Sequence, residues 1–431
     1  MAVVLLVLLL FSSLAALRFA ARRGLTSPWL FRLEPSDEGS GDGAAGAPPV
    51  ADAGIESEPR VAGPGFENAP PAAEPAYEAE PPVAIVVPAR NEENSLEDAL
   101  ASLARLDYSS YRIWVVNDES TDQTVEIADA FAERDPRIRR IDAAGRPPGW
   151  GGKTWAMECG VRASDEAWVL FTDADVTHHR ASLRRALERA RETGAGAVSV
   201  LPYLRCESVA ERLVLPAFIA AVTNRFPPGR VRDPRSRTAA TAGGFLLVHR
   251  DALARAGGLE AVRGVVAEDI ALGARLKAAG VGVDLSFTRE LVATRMYASL
   301  GEMVDGLGKH AYEGMGRSAA LLALGILGAW IVAVLPFALL VTLGAASPIL
   351  GLPLVEGPLP KAQAVICAVA AANYIGLKKL YEEIIDFLDV PFGYAWLYPI
   401  GALGYGLIAA RSLVLHVSGR GTKWKGRRAG G

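Results

Sequence analysis

From Val83 onward, short apolar runs alternate with helical spacings of apolar residues, and this alternation organises the reading of the chain. Apolar runs at 83–87, 112–116, 138–141 and 168–171 predict strands, and the stretches 95–106, 121–133 and 154–161 predict helices between them. A further helix is expected to begin near His178, another apolar run covers 246–248, and a helix is expected over 270–279. Strand alternating with helix implies an α/β fold with a mostly parallel sheet covered on both faces. Right-handed crossovers then bring the strand ends, and the loops that follow them, to one rim.

The two ends of the chain have a different texture. Residues 1–17 are apolar and uncharged and precede Arg18, Arg22 and Arg23, the reverse of the charge order in a cleaved signal peptide. We read 1–23 as an uncleaved membrane anchor whose arginines place the following domain in the cytoplasm. Residues 36–82 hold ten acids and one base among Ala, Pro and Gly, so they bury too little apolar surface to offset ordering entropy and read as a disordered acidic linker.

Beyond a domain at 83–315, residues 318–416 read as a transmembrane region of a multi-pass protein of the inner (plasma) membrane. A span over 319–343 is expected to kink at Pro336; the run 362–377 is short enough for a re-entrant segment, and 390–410 is a further apolar run. Between the last two, 378–386 is amphipathic and suits the membrane interface. The tail 417–431 is basic, so two full crossings would leave it beside the cytoplasmic domain and three would not.

Charge and cysteine content narrow the function classes. A net charge of −3 supplies no broad basic field, which argues against nucleic acid as a partner. Cys159, Cys206 and Cys367 are far apart, giving neither a zinc site nor a disulfide framework. His178 and His179 lack the paired spacing of metal ligands and read as surface or capping residues, and His310 is assigned no role.

The chemistry collects in the loops after the strands. Pro88-Ala-Arg-Asn-Glu-Glu93 follows the first, Asn117-Asp-Glu-Ser-Thr-Asp122 the second, Pro148-Gly-Trp-Gly-Gly-Lys-Thr-Trp155 the third and Asp173-Ala-Asp175 the fourth. Two carboxylates at a sheet rim suit Mg²⁺ or Mn²⁺, which take few protein oxygens and complete their shell with water and phosphate. Farther on, Ala242-Gly-Gly-Phe245 precedes an apolar run, and Glu268-Asp269 opens a helix. Capping would need only one acid, whereas a carboxylate held rigidly there suits a general base.

Taken in order, these motifs resemble those of family 2 glycosyltransferases with a GT-A fold, over roughly 83–311. The stretches 149–156 and 424–427 resemble the membrane-anchored, lipid-modifying branch that includes hopene-associated and carotenoid glycosyltransferases. The resemblance implies a nucleotide-sugar donor lined by Pro88, Ala89, Asn91, Glu92 and Asp118, with Lys153 near its phosphates. It also implies a divalent metal on Asp175 with Asp173 nearby, Asp269 as base with Glu268 beside it, and Gly243 and Gly244 leaving room for a lipid acceptor. No Arg-Trp pair occurs in the chain, so the Gln-x-x-Arg-Trp motif of processive synthases is absent. Transfer of a single sugar is therefore favoured over polysaccharide synthesis; the retained acids Asp118, Asp173, Asp175 and Asp269 argue against a catalytically inactive nucleotide-sugar sensor, and Pro88–Glu93, which is not a Gly-rich, basic phosphate loop, argues against a nucleotidyltransferase.

Overall fold

The computed structural model describes residues 80–346 and 360–418 and the backbone at 423–424 and 427–428. The anchor at 1–23, nearly all of the linker at 36–82 and most of the tail at 417–431 lie outside the described residues. The strands β1 (Val83–Ala89), β2 (Tyr111–Asn117), β3 (Ile138–Asp142) and β4 (Trp168–Phe171) alternate with helices α1 (Leu96–Leu103), α2 (Thr124–Arg134) and α3 (Gly152–Ala163), as the apolar pattern predicts. One expectation fails here. The segment at His178 is a strand, β5 (Val176–His178), and the helix, α4 (Ser182–Thr193), starts only after it. Val176 and His178 are both buried, so packing overrides the local helix-start signal.

Next come β6 (Ala197–Leu201), β7 (Tyr203–Leu204), α5 (Val209–Arg225), α6 (Pro228–Arg232), β8 (Leu246–His249), α7 (Arg250–Arg255), α8 (Glu268–Ala278), β9 (Val283–Phe287), β10 (Val292–Thr294) and α9 (Leu300–Gly314). The main sheet has the order β3-β2-β1-β4-β8-β6-β9. Only β8 runs antiparallel to its neighbours, β4 and β6. This reversal matters for the site. It places the start of β8 at the rim where β4 ends, with Leu246 opposite Phe171.

The two faces of β1 explain its nearly unbroken apolar run. Val83, Ile85 and Val87 pack in one core cluster with Leu96, Leu100 and Leu103 of α1, while Ala84 and Val86 pack in a second with Trp155 and Ala156 of α3. Gly160 of α3 lies directly on the Val86 side chain, where a Cβ would overlap it. Each fully buried strand side chain of this kind contributes roughly 1.5–3 kcal/mol.

In the C-terminal region the run 319–343 is interrupted just before Pro336, as expected: α10 (Ala319–Ala333) gives way to α11 (Leu335–Leu339), with Pro336 in its first turn, and then to a π-helical stretch over Leu340–Ala346. Two points depart from the sequence reading. The run 362–377 is not a short re-entrant segment. It continues through 378–386 as one helix, α12 (Pro360–Phe387), helped by an i,i+4 ion pair between Lys378 and Glu382. The apolar side of 378–386 also rests on protein: Tyr381, Ile384, Ile385 and Phe387 cluster with Leu204, Ile219 and Phe287.

A 3₁₀ turn at Phe392–Leu397 leads into α13 (Tyr398–Val417). Gln363–Phe387 and Phe392–Val417 are long and apolar enough to cross a membrane, and α9 and α10 form a pair bent by 114°. Along α10, α12 and α13 the exposed Leu324, Val365, Ile375, Leu407 and Val414 give these helices an apolar outer surface suited to lipid.

Candidate active site

Two groups of residues meet at the C-terminal rim. The first cross-links the loops after β1 and β2. Asn91, at φ +51°, accepts a hydrogen bond from the Thr121 N–H (2.9 Å) on its side-chain oxygen, and its own N–H donates to Ser120 Oγ (3.2 Å). The Glu92 N–H donates to Thr124 Oγ1 (2.7 Å), and its carboxylate accepts from Ser95 Oγ (2.9 Å). Arg90 donates to the Asp118 carbonyl (2.5 Å), and the Asp118 N–H donates to the Ala89 carbonyl (2.9 Å), so Asp118 is 5% exposed and fixed. Asn91 and Glu92 thus knit loop to loop. Ala89 is core, and of the proposed donor residues before α1 only Pro88 lines the central pocket.

The second group surrounds that pocket, which Pro88, Lys153, Asp173, Gly243, Glu268 and Asp269 line. Lys153, from the first turn of α3, lies 2.7 Å from Asp173 Oδ1 and 2.8 Å from Glu268 Oε1. Burial opposes its charge, yet the two carboxylates hold its pKa well above the usual lysine value. Glu268 experiences the same balance in reverse: burial raises its pKa, but Lys153 and Lys309 outweigh this and leave it below the usual range. Glu268 is therefore the counter-ion of Lys153.

Asp269 differs from its neighbour. Burial, and then the adjacent Glu268 carboxylate, push its pKa up to about 6. Its carboxylate is fixed by the Gly243 N–H (3.1 Å) on Oδ2 and the Ile270 N–H (2.8 Å) on Oδ1, while Thr241 Oγ1 donates to its carbonyl (2.6 Å). A rigid carboxylate with a pKa near 6 suits proton abstraction near neutral pH. The N-cap residue of α8, Ala267, supplies no side-chain cap, so the Ile270 bond makes Asp269 serve the first turn of the helix as well.

Gly243 and Gly244 separate in role. A Cβ on Gly243 would stand 3.2 Å from Lys153 Nζ, 3.5 Å from Asp269 and 3.7 Å from Asp173, so the absence of a side chain keeps the pocket open. A Cβ on Gly244 would meet the Pro202 ring at 2.8 Å, so Gly244 packs against protein and leaves no space for a ligand. Thr172 Oγ1 ties this turn to β4 by donating to the Gly244 carbonyl (2.9 Å). With its proton so used, Thr172 accepts from His178 Nε2 (2.9 Å), fixing a neutral Nε2–H histidine whose pKa burial lowers to about 3. His178 is thus a buried structural residue instead of a surface or capping one.

For a metal, Asp173 and Asp175 supply hard oxygen donors at the end of β4. Among the described residues no group of three or more His, Cys, Asp or Glu side chains is arranged to hold an ion. A two-carboxylate site fits Mg²⁺ or Mn²⁺ only where substrate phosphate and water complete the shell. Three contributors were not legible in the sequence. Lys309 and His310 of α9 interact electrostatically with Glu268, Lys153 and Asp173, and the Arg263 carbonyl accepts from the Gly151 N–H (2.6 Å), joining the loop of Lys153 to the segment before Glu268. A lysine–histidine pair just after Gly306 and Gly308 was the available signal for the first two.

Comparisons with known proteins agree with this architecture. Residues 84–256 match the family described as glycosyl transferase family 2. The chain is 36% identical over 110 residues to an uncharacterized glycosyltransferase, EpsJ, of Bacillus subtilis, covering 26% of this chain and 30% of that protein. It is 30% identical over 125 residues to 4,4'-diaponeurosporenoate glycosyltransferase of Staphylococcus haemolyticus (28% and 32% covered), and 29% identical over 129 residues to beta-monoglucosyldiacylglycerol synthase of Synechocystis (30% and 26% covered). The matched segment thus spans about a third or less of each of these relatives. Among solved structures, the mannosyltransferase PcManGT of Pyrobaculum calidifontis, in complex with GDP-Man and Mn²⁺, aligns with a TM-score of 0.47 and 20% identity, covering 77% of this chain and 88% of that one. The match to glycosyl transferase family 2 over residues 84–256 coincides with the strands β1 to β8, with their one reversed strand and their ordered rim loops, an architecture in keeping with a GT-A glycosyltransferase domain.

Proposed function

We propose that the protein is a membrane-bound, inverting glycosyltransferase that moves one sugar from a nucleotide-diphosphate sugar to a hydroxyl of a lipid, with an isoprenoid such as a hopanoid as the acceptor class. The observation that carries this reading is Asp269, a fixed carboxylate with its pKa raised to about 6, facing a pocket that also contains Lys153 and Asp173. The apolar helices that follow within the same chain fit a lipid acceptor and a multi-pass protein of the inner membrane with its catalytic domain cytoplasmic. The diaponeurosporenoate and monoglucosyldiacylglycerol in the names of the Staphylococcus and Synechocystis relatives are lipids, which supports the same reading.

The chemistry follows from the residues. Asp269 accepts the proton of the acceptor hydroxyl as its oxygen bonds to the anomeric carbon. The bond from that carbon to the diphosphate oxygen breaks, and its electron pair leaves with the nucleoside diphosphate. Lys153 meets the charge that grows there, and Glu268 holds Lys153 in place. A divalent ion on Asp173 and Asp175 would supply further positive charge to the diphosphate when bound. The loops of Pro88, Asn91, Glu92 and Asp118 would receive the nucleoside. A single displacement inverts the anomeric configuration.

The test is release of nucleoside diphosphate by the detergent-purified full chain, with a panel of nucleotide sugars, membrane lipid extract, and Mg²⁺ or Mn²⁺. Release that requires lipid and metal, and disappears in Asp269→Asn and Asp175→Ala, is expected. Binding of a nucleotide sugar with no turnover under any of these conditions would instead identify an inactive binding protein. Products carrying many sugars would indicate a polysaccharide synthase.

A further inference from the structure

Helix α9 has two working faces. Asp305, Gly308 and Tyr312, spaced i, i+3 and i+7, meet α13. Arg411 lies 2.9 Å from Asp305, Ser412 Oγ donates to the Gly308 carbonyl (2.6 Å), and the Tyr312 and His416 rings stack at 4.1 Å. Gly306, Lys309, His310 and Glu313 share the adjacent face. Gly306 sits on the ring of buried Tyr297, where any side chain would overlap it, and Tyr297 closely follows β10, whose Thr294 pairs with Val176 beside Asp175. This face therefore turns to the catalytic rim, and there Lys309 meets the charges of Glu268, Lys153, Asp269 and Asp173.

The cleft calls for such a cation. Asp173, Glu268 and Asp269 line it, Asp175 lies two residues on at the same rim, and a diphosphate brings further negative charge that increases as the sugar departs. Lys153 and a divalent ion together leave the site net negative. A long, half-buried lysine on a helix fixed by close glycine contacts is costly to desolvate without a charged partner. The acidic cluster supplies that partner before the donor arrives.

We propose that Lys309 is a second cationic contact to the donor diphosphate, beside Lys153, presented by a helix whose other face is locked to α13. This rests on the nucleotide-sugar reading above. It also ties the geometry of the reacting centre to that of an apolar C-terminal helix, through the Asp305–Arg411 and Gly308–Ser412 contacts.

The experiment uses calorimetry on the full chain in detergent with Mn²⁺. UDP, GDP, ADP, CDP and dTDP serve as probes, each beside its monophosphate, with wild type, Lys309→Met and Lys309→Arg. Loss of one charge-assisted contact predicts that Lys309→Met binds the preferred diphosphate about tenfold or more weakly, with monophosphate affinity unchanged and most of the loss recovered in Lys309→Arg. Equal diphosphate affinity in Lys309→Met and wild type would overturn the role of Lys309 and leave the proposed function intact. Equal weakening of diphosphate and monophosphate, unrecovered by arginine, would show a structural residue and overturn it as well. Wild type that binds none of the five diphosphates would overturn both the nucleotide reading and the proposal.

Discussion

The two halves of the catalytic rim are built on opposite principles. In the loops after β1 and β2, Arg90, Asn91 and Glu92 each bond across to the neighbouring loop and the Asp118 N–H bonds back to Ala89, so the two loops are tied together before any ligand arrives. Around the pocket, Asp173, Glu268 and Asp269 share Lys153, and one of the three, Asp269, is left with a raised pKa. Under the proposed function, the contrast separates a preorganised recognition surface from an electrostatically strained reacting centre. Folding free energy is concentrated in the first, and part of it is given up in the second.

The sharpest way to break this contrast is Asp269→Asn. Transfer should fall by at least about 10³-fold, the scale of a lost base. Stability should move the other way. The folded pKa of about 6 lies above the ordinary 3.8, so the native state binds this proton more tightly and stability declines as pH rises from about 4 through 6. At pH 8 the neutral asparagine should therefore be more stable, by about 1–2 kcal/mol, in denaturant melts. A destabilised Asp269→Asn would remove the strain from the account.

Lys153→Met should separate the two halves differently. Activity should fall about 10²-fold or more, and here stability should fall too, because Asp173 and Glu268 lose their shared counter-ion. Lys153 and Asp173 are 38% and 33% exposed, so solvent screening limits that loss to about 1–2 kcal/mol. A pH profile of kcat/KM gives a smaller effect, about tenfold per pH unit on a rising limb centred near pH 6, where Asp269 ionises. The smallest belongs to the recognition half. Asn91→Ala should cost about 1 kcal/mol through the lost Thr121 hydrogen bond and the positive φ, raising donor KM a few-fold with kcat little changed. A large fall in kcat there would blur the distinction.

Much of the fold was legible because β1, β2 and β4 are buried on both faces and therefore write nearly unbroken apolar runs. The order of the rim loops was legible for the same reason, since each follows such a run. What could not be read was set by tertiary contacts. The reversal of β8 brings Gly243 close to the Asp173 carboxylate, yet Leu246–His249 looks like any short strand. Lys309 arrives from a helix at the far end of the expected domain, positioned by Gly306 on Tyr297, and no motif marks it in the sequence. His178 was placed at the surface because its partner, Thr172, acts only through a turn that the sequence does not specify. In the membrane region, length alone misjudged 362–377, because Lys378 and Glu382 continue the helix instead of ending it.

The most direct test of the central claim, that Asp269 activates the acceptor for one in-line displacement, is the anomeric configuration of the product. The glycolipid formed by the purified full chain can be assigned by the coupling of its anomeric proton in NMR. An α-linked nucleotide-sugar donor should give a β-linked product, and a β-linked donor an α-linked one. A product that retains the donor's configuration would contradict a single displacement and remove Asp269 from the role of base.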